Sequence, residues 1–343
     1  MNIQKFKKYF DIKFIKFLNE KFKNDFKFIK NNYLNLYFNH LINFAEKGKR
    51  IRSFIFYSIA SAYNKKNKDC LKIMISLELL HLFALIQDDI MDKAKTRRET
   101  LTLNYFIYKN SKIFLNKNKK DYSNNISILL SDIVFNIFYN NISNLKNNIK
   151  KEFYKMINEV LIGQFLDIFL ANETNLNSNF KDIKNKTLKK TAYYTFVRPL
   201  IIGGIFCNLK SKELKKLEKI GILMGEIFQT QDDLFDYYLS EDKQDKDRFN
   251  DLKEGQKTYI TYYIFNKTSI GKNFSRFFYK KLNQKDKQYL NKLITEKSGV
   301  KKYIENIINL KSNNAQKIIS SLKNKKVRQN LKYILNLIIN RKS

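Results

Sequence analysis

Apolar residues return at i, i+3, i+4 and i+7 along almost the whole chain, and strict apolar–polar alternation is weak. That period belongs to amphipathic helices. It predicts helices over about 3–30, 32–47, 50–64, 69–92, 101–116, 124–146, 150–172, 181–208, 212–239, 257–267, 273–296 and 299–309, with a last one near 315–341. Polar stretches at Lys65–Lys68, Asn116–Asn124, Asn172–Asn179 and Glu241–Gly255 read as connectors. Each is short and closely flanked by apolar helices. The expectation is an all-α protein, one large bundle of about 12–13 helices forming a single domain over 1–343.

Composition sharpens this picture in two ways. Only nine Gly and one Pro occur in 343 residues, so few signals interrupt long helices. The formal charge of +34 would suit a nucleic acid or an anionic surface. The lysines are spread over the whole length, however, and the chain is rich in Asn, Ile, Phe and Tyr and lacks Trp. That composition is what an A+T-rich genome produces, and no nucleic-acid partner is expected. A basic RNA-binding helical protein is the alternative of a different class.

Cys70 and Cys207 make neither a metal spacing nor a disulfide framework, which fits a reducing cytoplasm. No apolar run reaches the ~18 residues of a membrane span. The first 22 residues alternate lysines with aromatics and include Asp11 and Glu20, unlike a signal peptide. A first helix packed on the domain, with no stable membrane insertion, is expected.

Against this background two acidic segments stand out, QDDIMD at Gln87–Asp92 and QDDLFD at Gln231–Asp236. Each sets carboxylates at i, i+1 and i+4 in an apolar helical run. Residues i and i+4 share a helix face, so Asp88 pairs with Asp92 and Asp232 with Asp236. Burying such pairs alone is costly, because desolvated like charges repel. A hard cation removes that cost, and Mg²⁺ is commonly held by one or two carboxylates plus substrate phosphates. The expectation is two acidic walls facing a shared cavity that holds Mg²⁺ and a polyphosphate. The repeated surroundings leave an internal duplication and convergence on one metal geometry both open.

Basic groups accompany these walls. GKRIR at Gly48–Arg52 opens a helix, a favourable place for phosphate. His81 lies seven residues before Asp88, nearly two turns, and so on roughly the same face. Arg97 and Arg98 are adjacent and can each grip a separate phosphate. Lys190 and Thr191 sit on a helix that is otherwise apolar. After the second acidic motif come Lys246, Asp251 and EGQKT at Glu254–Thr258, a glycine-containing basic stretch that reads as a lid. Two acidic and two basic sets imply two phosphorylated substrates plus Mg²⁺.

These motifs together resemble a trans-isoprenyl diphosphate synthase of the polyprenyl synthetase family, closest to its geranylgeranyl and farnesyl members. The match spans about residues 45–260. EKGKRIRS stands for GGKRxRP, DDIMD with Arg97-Arg98 for the first acidic motif, Gly163 to Asp167 for GQxxD, Lys190-Thr191 for KT, and FQTQDDLFD for the second acidic motif. The resemblance implies a helical bundle around a deep cavity, a homodimer and three Mg²⁺ bridging an allylic diphosphate. Asp88, Asp92, Asp232 and Asp236 would hold the metal. Arg97, Lys190, Thr191, Gln229, Lys246 and Lys257 would serve the allylic diphosphate. Lys49, Arg52, His81 and Arg98 would hold isopentenyl diphosphate. The implied reaction is head-to-tail condensation by ionisation, condensation and elimination.

Three positions depart from the family pattern. Ser53 replaces the usual Pro, Gln87 the usual His before the first Asp pair, and Gln256 the lysine of the GKxT lid, with Lys257 next door as its expected substitute. Chain length would be set one turn or more before Asp88, where Phe83 is bulky and Ala84 small. One aromatic beside a small neighbour resembles enzymes that stop near C20, so geranylgeranyl diphosphate is the expected product. Farnesyl (C15) or longer products are the alternatives. DDLFD argues against a terpene cyclase, and the intact aspartates argue against a silent partner subunit.

Overall fold

The computed structural model describes residues 2–26, 28, 31–111, 118–176, 179–238 and 248–341. The chain forms two compact units, residues 1–57 with 66–146 and residues 58–65 with 147–343. The described residues are helical but for one short hairpin.

The first unit holds α1 (Ile3–Asp25), α2 (Asn32–Glu46), most of α3 (Ile51–Ala62), α4 (Lys68–Met91), α5 (Leu103–Asn110) and α6 (Lys119–Ile142). Helix α1 buries Phe6, Phe10, Phe14, Leu18 and Phe22, a stripe with a four-residue step. Its ring pairs Phe6–Phe10 and Phe10–Phe14 stack with centroids 5.6 and 5.7 Å apart. Helix α4 is buried on almost every side between Ile73 and Leu82, a mostly apolar run that also takes in Ser76 and Glu78, and it packs along α6. Strands β1 (Thr96–Arg97) and β2 (Thr100–Leu101) follow. Their turn residues Arg98 and Glu99 both have positive φ, 53° and 61°, which is the tight hairpin geometry.

Arg50 fixes the start of α3. It sits at φ 57° with only 3% of its surface exposed. Its guanidinium donates to Asp11 Oδ1 (2.6 Å), Glu78 Oε2 (3.3 Å) and the Ala45 carbonyl (2.7 Å). Ser53, in place of a proline, donates through its hydroxyl toward Glu78 Oε1 at 2.7 Å. The departure at Ser53 therefore completes the partners of a buried carboxylate.

The second unit holds α7 (Asn147–Asn172), α8 (Phe180–Thr187), a π-helix (Leu188–Val197), α9 (Arg198–Phe206), α10 (Ser211–Tyr238), α11 (Asn250–Lys253), α12 (Tyr259–Lys267), α13 (Gly271–Ser275), α14 (Gln284–Lys297), α15 (Val300–Ser320) and α16 (Lys325–Ile339). The π-helix lies against both α7 and α10. Close approach is what the glycines there provide. A side chain at Gly163 would overlap the backbone of Lys190, and one at Gly225 the backbone of Ala192.

Several expectations differ from the observed elements. The helix expected over 181–208 is three segments, because the π-helix interrupts it. The last two helices divide at Ser321–Asn324 rather than near 309–315. The polar stretch read as a break there is the solvent face of α15, which still buries Ile308, Ser312 and Ala315, while Asn324 caps α16. Among the described residues no helix is long and apolar enough to cross a membrane.

Candidate active site

In the first unit, α4 carries Asp88 and Asp89 in its last turn and ends on Asp92. The hairpin then folds back and brings Arg97 onto them, with Nη2 2.9 Å from Asp88 Oδ2 and Nε 2.7 Å from Asp89 Oδ1. Asp89 is buried, and burial pushes its carboxyl up to about 6 despite the opposing Arg97. Asp88 and Asp92 are half-buried at the same helix end.

Arg98 begins the turn at φ 53°, and its guanidinium donates to the Lys47 carbonyl at 3.3 Å. A cavity of about 10 Å³, room for about one water, is lined by Arg98, His81, Arg50, Glu78, Gly48 and neighbouring apolar groups. Burial first, and then the guanidiniums of Arg52, Arg98, Arg97 and Arg50, hold His81 well below its ordinary value. A neutral imidazole therefore sits within a cationic cluster. Lys49 is exposed, and Arg52 half-buried. His81, Arg52 and Arg98 thus form one electrostatic group. Phe83 and Ala84 are half-buried on α4, and the Phe83 ring meets Phe135 of α6 with centroids 4.8 Å apart.

In the second unit, the π-helix presents Lys190 and Thr191. Lys190 Nζ is 2.6 Å from Asp167 Oδ2, and Lys186 Nζ is 3.0 Å from Asp167 Oδ1. Asp167 is buried, yet the two lysines hold its carboxyl far below the usual carboxylate range. Thr191 donates to Gln229 Oε1 (2.6 Å), and Gln229 Nε2 donates to Asp233 Oδ1 (2.8 Å). Burial and the nearby Asp251 push the Asp233 carboxyl well above its ordinary value. Asp236 accepts the backbone N–H groups of Asn250 and Asp251 at 2.9 and 3.1 Å, anchoring α11. Asp232 is 47% exposed and pairs with Arg341 Nη1 at 2.8 Å.

The lid motif behaves differently from its expectation. Gln256 turns toward Lys186 and Asp167, while Lys257 points the other way and is fully buried. Its ammonium is 3.4 Å from the Tyr279 hydroxyl and 4.9 Å from the Phe278 ring centroid. Lys257 thus meets a different set of groups from the Lys186 and Asp167 that Gln256 faces. Lys246 lies outside the described residues.

Sequence reading did not single out Asp89, Lys186, Phe135 or Arg341. Lys186 had a signal, standing four residues before Lys190 on a shared face. Arg341 had none, since nothing in a terminal NRKS says which helix it meets. Among the described residues no three His, Cys, Asp or Glu side chains converge to hold an ion by themselves. The donors at the two motifs are hard carboxylate oxygens in small sets, which fits Mg²⁺ completing its shell with phosphate oxygens and water.

The chain is similar to several known proteins. The geranylgeranyl diphosphate synthase of Saccharolobus solfataricus is 24% identical over 245 residues, 68% of this chain and 67% of that protein. The octaprenyl diphosphate synthase of Escherichia coli is 24% identical over 214 residues, 62% of this chain and 60% of that protein. Among solved structures, a geranylgeranyl pyrophosphate synthase from Corynebacterium glutamicum, complexed with isoprenyl diphosphate and magnesium, has the same fold at a TM-score of 0.89. It is 22% identical, and the superposition covers all of both chains. A decaprenyl diphosphate synthase from Rhodobacter capsulatus follows the fold at 0.79, with 18% identity and 96% of each chain covered. The polyprenyl synthetase family model matches residues 32–296, which includes both acidic motifs, and the chain belongs to the polyprenyl synthetase family of prenyl-transferring enzymes.

Proposed function

We propose that this chain condenses isopentenyl diphosphate head-to-tail with an allylic diphosphate, and that its main product is geranylgeranyl diphosphate. The observation that carries the reading is that each acidic motif is built beside its own cationic cluster. Arg97, Arg98, Arg52 and His81 accompany Asp88 and Asp92. Lys190 and Lys186 meet Asp167 beside the second motif, and Thr191 reaches that motif's Asp233 through Gln229.

In this reading Asp88, Asp92 and Asp232, supported by Asp236, hold Mg²⁺, three ions in all, on the allylic diphosphate. Bound Mg²⁺ stabilises negative charge on the departing diphosphate. Lys190 in the second unit and Arg97 in the first would each add positive charge toward a diphosphate, strongest where water is excluded. The hydrogen bond from Thr191 fixes the amide of Gln229 beside them. Arg52, Arg98 and Lys49 hold isopentenyl diphosphate, and neutral His81 offers a donor or acceptor without adding charge. The proton lost after condensation goes to the released diphosphate, so no side-chain base is required. Phe83 closes the space into which the product grows, favouring C20 over longer chains.

The exposed stripe Leu161, Ile162, Phe165 and Phe169 on α7 suits a second copy of the chain, and we include a homodimer in the proposal. The test is incubation of purified protein with labelled isopentenyl diphosphate, each allylic primer in turn, and Mg²⁺. Incorporation that requires both primer and metal, ending mainly at C20, is expected. Absence of incorporation with every primer would overturn the function, and a different main product would overturn only the chain length.

A further inference from the structure

Lys186 has no place in the family motifs that the sequence displays, yet it is buried at the centre of the second unit's polar network. Lys186, Asp167 and Gln256 close a ring, and Lys190 joins it at Asp167. Lys186 Nζ is 3.0 Å from Asp167 Oδ1 and donates to Gln256 Oε1 at 3.2 Å. Lys190 Nζ is 2.6 Å from Asp167 Oδ2. Gln256 Nε2 faces the same Asp167 oxygen at 3.4 Å. Two ammoniums and one carboxylate leave the cluster with a single net positive charge.

Gln256 stands where the lid pattern calls for a lysine. A lysine placed there would bring a third ammonium to within about the present 3.2 Å amide distance of Lys186. Like charges that close, largely out of water, repel strongly. The carbonyl of Gln256 instead accepts from Lys186. Positions 186 and 256 therefore read as a matched pair. The positive charge that the pattern places on the turn after Glu254 is supplied here from α8, seventy residues earlier in the chain.

We propose that Lys186 is a positioning residue that replaces the missing lid lysine. It neutralises Asp167, so that the Lys190 ammonium remains available to an allylic diphosphate, and it holds the lid turn through Gln256. The glycine turn supports this, since Gly255 (φ 71°) seats against Tyr279, whose hydroxyl donates to the Ala171 carbonyl at 2.6 Å. The turn is thereby fixed to the end of α7, the helix that carries Asp167. The proposal rests on the reading that this unit binds an allylic diphosphate.

The test is a charge swap. Lys186→Met, Gln256→Lys and the double variant are compared with wild type. Lys186→Gln, which keeps a donor without charge, is carried in parallel in case the methionine variant folds poorly. Three quantities are measured: KM for the allylic primer against KM for isopentenyl diphosphate, affinity for inorganic pyrophosphate with Mg²⁺ by calorimetry, and thermal stability. Loss of a charge-assisted bond predicts a rise of about tenfold or more in allylic KM, and a similar loss in pyrophosphate affinity, for Lys186→Met and Lys186→Gln. The KM for isopentenyl diphosphate is expected to stay within about twofold. Gln256→Lys alone is expected to weaken pyrophosphate and lower stability. The double variant should recover both to within about threefold of wild type, because a coupled pair is non-additive. Unchanged pyrophosphate affinity in both position-186 variants, or a double variant no better than the worse single, would overturn the proposal. A wild type inactive with every primer but binding pyrophosphate would sink the reaction and leave the coupling of 186 and 256 still decided by the swap.

Discussion

Truncation of Phe83 to alanine is the sharpest probe of how the product is measured out. The ring sits on α4, five residues before Asp88, half-buried and 4.8 Å from the centroid of Phe135. Removing it deletes six carbons, about one more than a five-carbon prenyl unit occupies. The vacated space therefore admits about one further condensation, and the main product should move up by one unit. The shift should stop there. Phe135 remains as the next wall and is itself braced by Phe138, with centroids 5.6 Å apart. Adding Phe135→Ala should release a second step.

Full burial would make Phe→Ala cost roughly 3–5 kcal/mol. Phe83 is only half-buried, so about 2 kcal/mol is expected, a modest lowering of Tm in a chain of this length. The assay separates dephosphorylated products by thin-layer chromatography, with total incorporation measured alongside. An unchanged product ladder at wild-type incorporation would refute Phe83 as the floor. A longer ladder in Phe135→Ala alone would move the floor to α6.

Further outcomes follow from other parts of the structure. Arg50→Met should cost about 3–5 kcal/mol in denaturant unfolding, because it leaves the buried Glu78 without its guanidinium; a loss under about 1 kcal/mol would show that Ser53 alone suffices. His81 has a folded value depressed below its ordinary 6.5, so the unfolded chain binds the extra proton first and stability falls as pH drops below about 6.5. His81→Gln should flatten that acid limb of the stability profile, and an identical limb would remove His81 as its cause. Arg341→Ala frees an oxygen of half-exposed Asp232. An exposed pair of this kind is worth about 0.2–1 kcal/mol, so Mg²⁺ should bind about 1.4- to fivefold tighter by calorimetry; weaker binding would instead make Arg341 an aid to the metal site.

What the chain determined by itself was local. The 3.6-residue period predicted helices, and an i, i+4 spacing put Asp88 with Asp92 and His81 on Asp88's side of α4. All three residues do lie on α4 or at its end, as a helical period within a few residues requires. The seat of the π-helix was not legible, since it is remote: Gly163 and Gly225 on two other helices let Lys190 and Ala192 come close. The fate of the lid motif was equally hidden. Gln256 and Lys257 are neighbours in sequence, but only tertiary packing turned one toward Lys186 and Asp167 and sealed the other against Tyr279. Charge partnership across seventy residues, or between Asp232 and the chain's last described residue, depends on which helices meet, and periodicity along one helix carries no record of that.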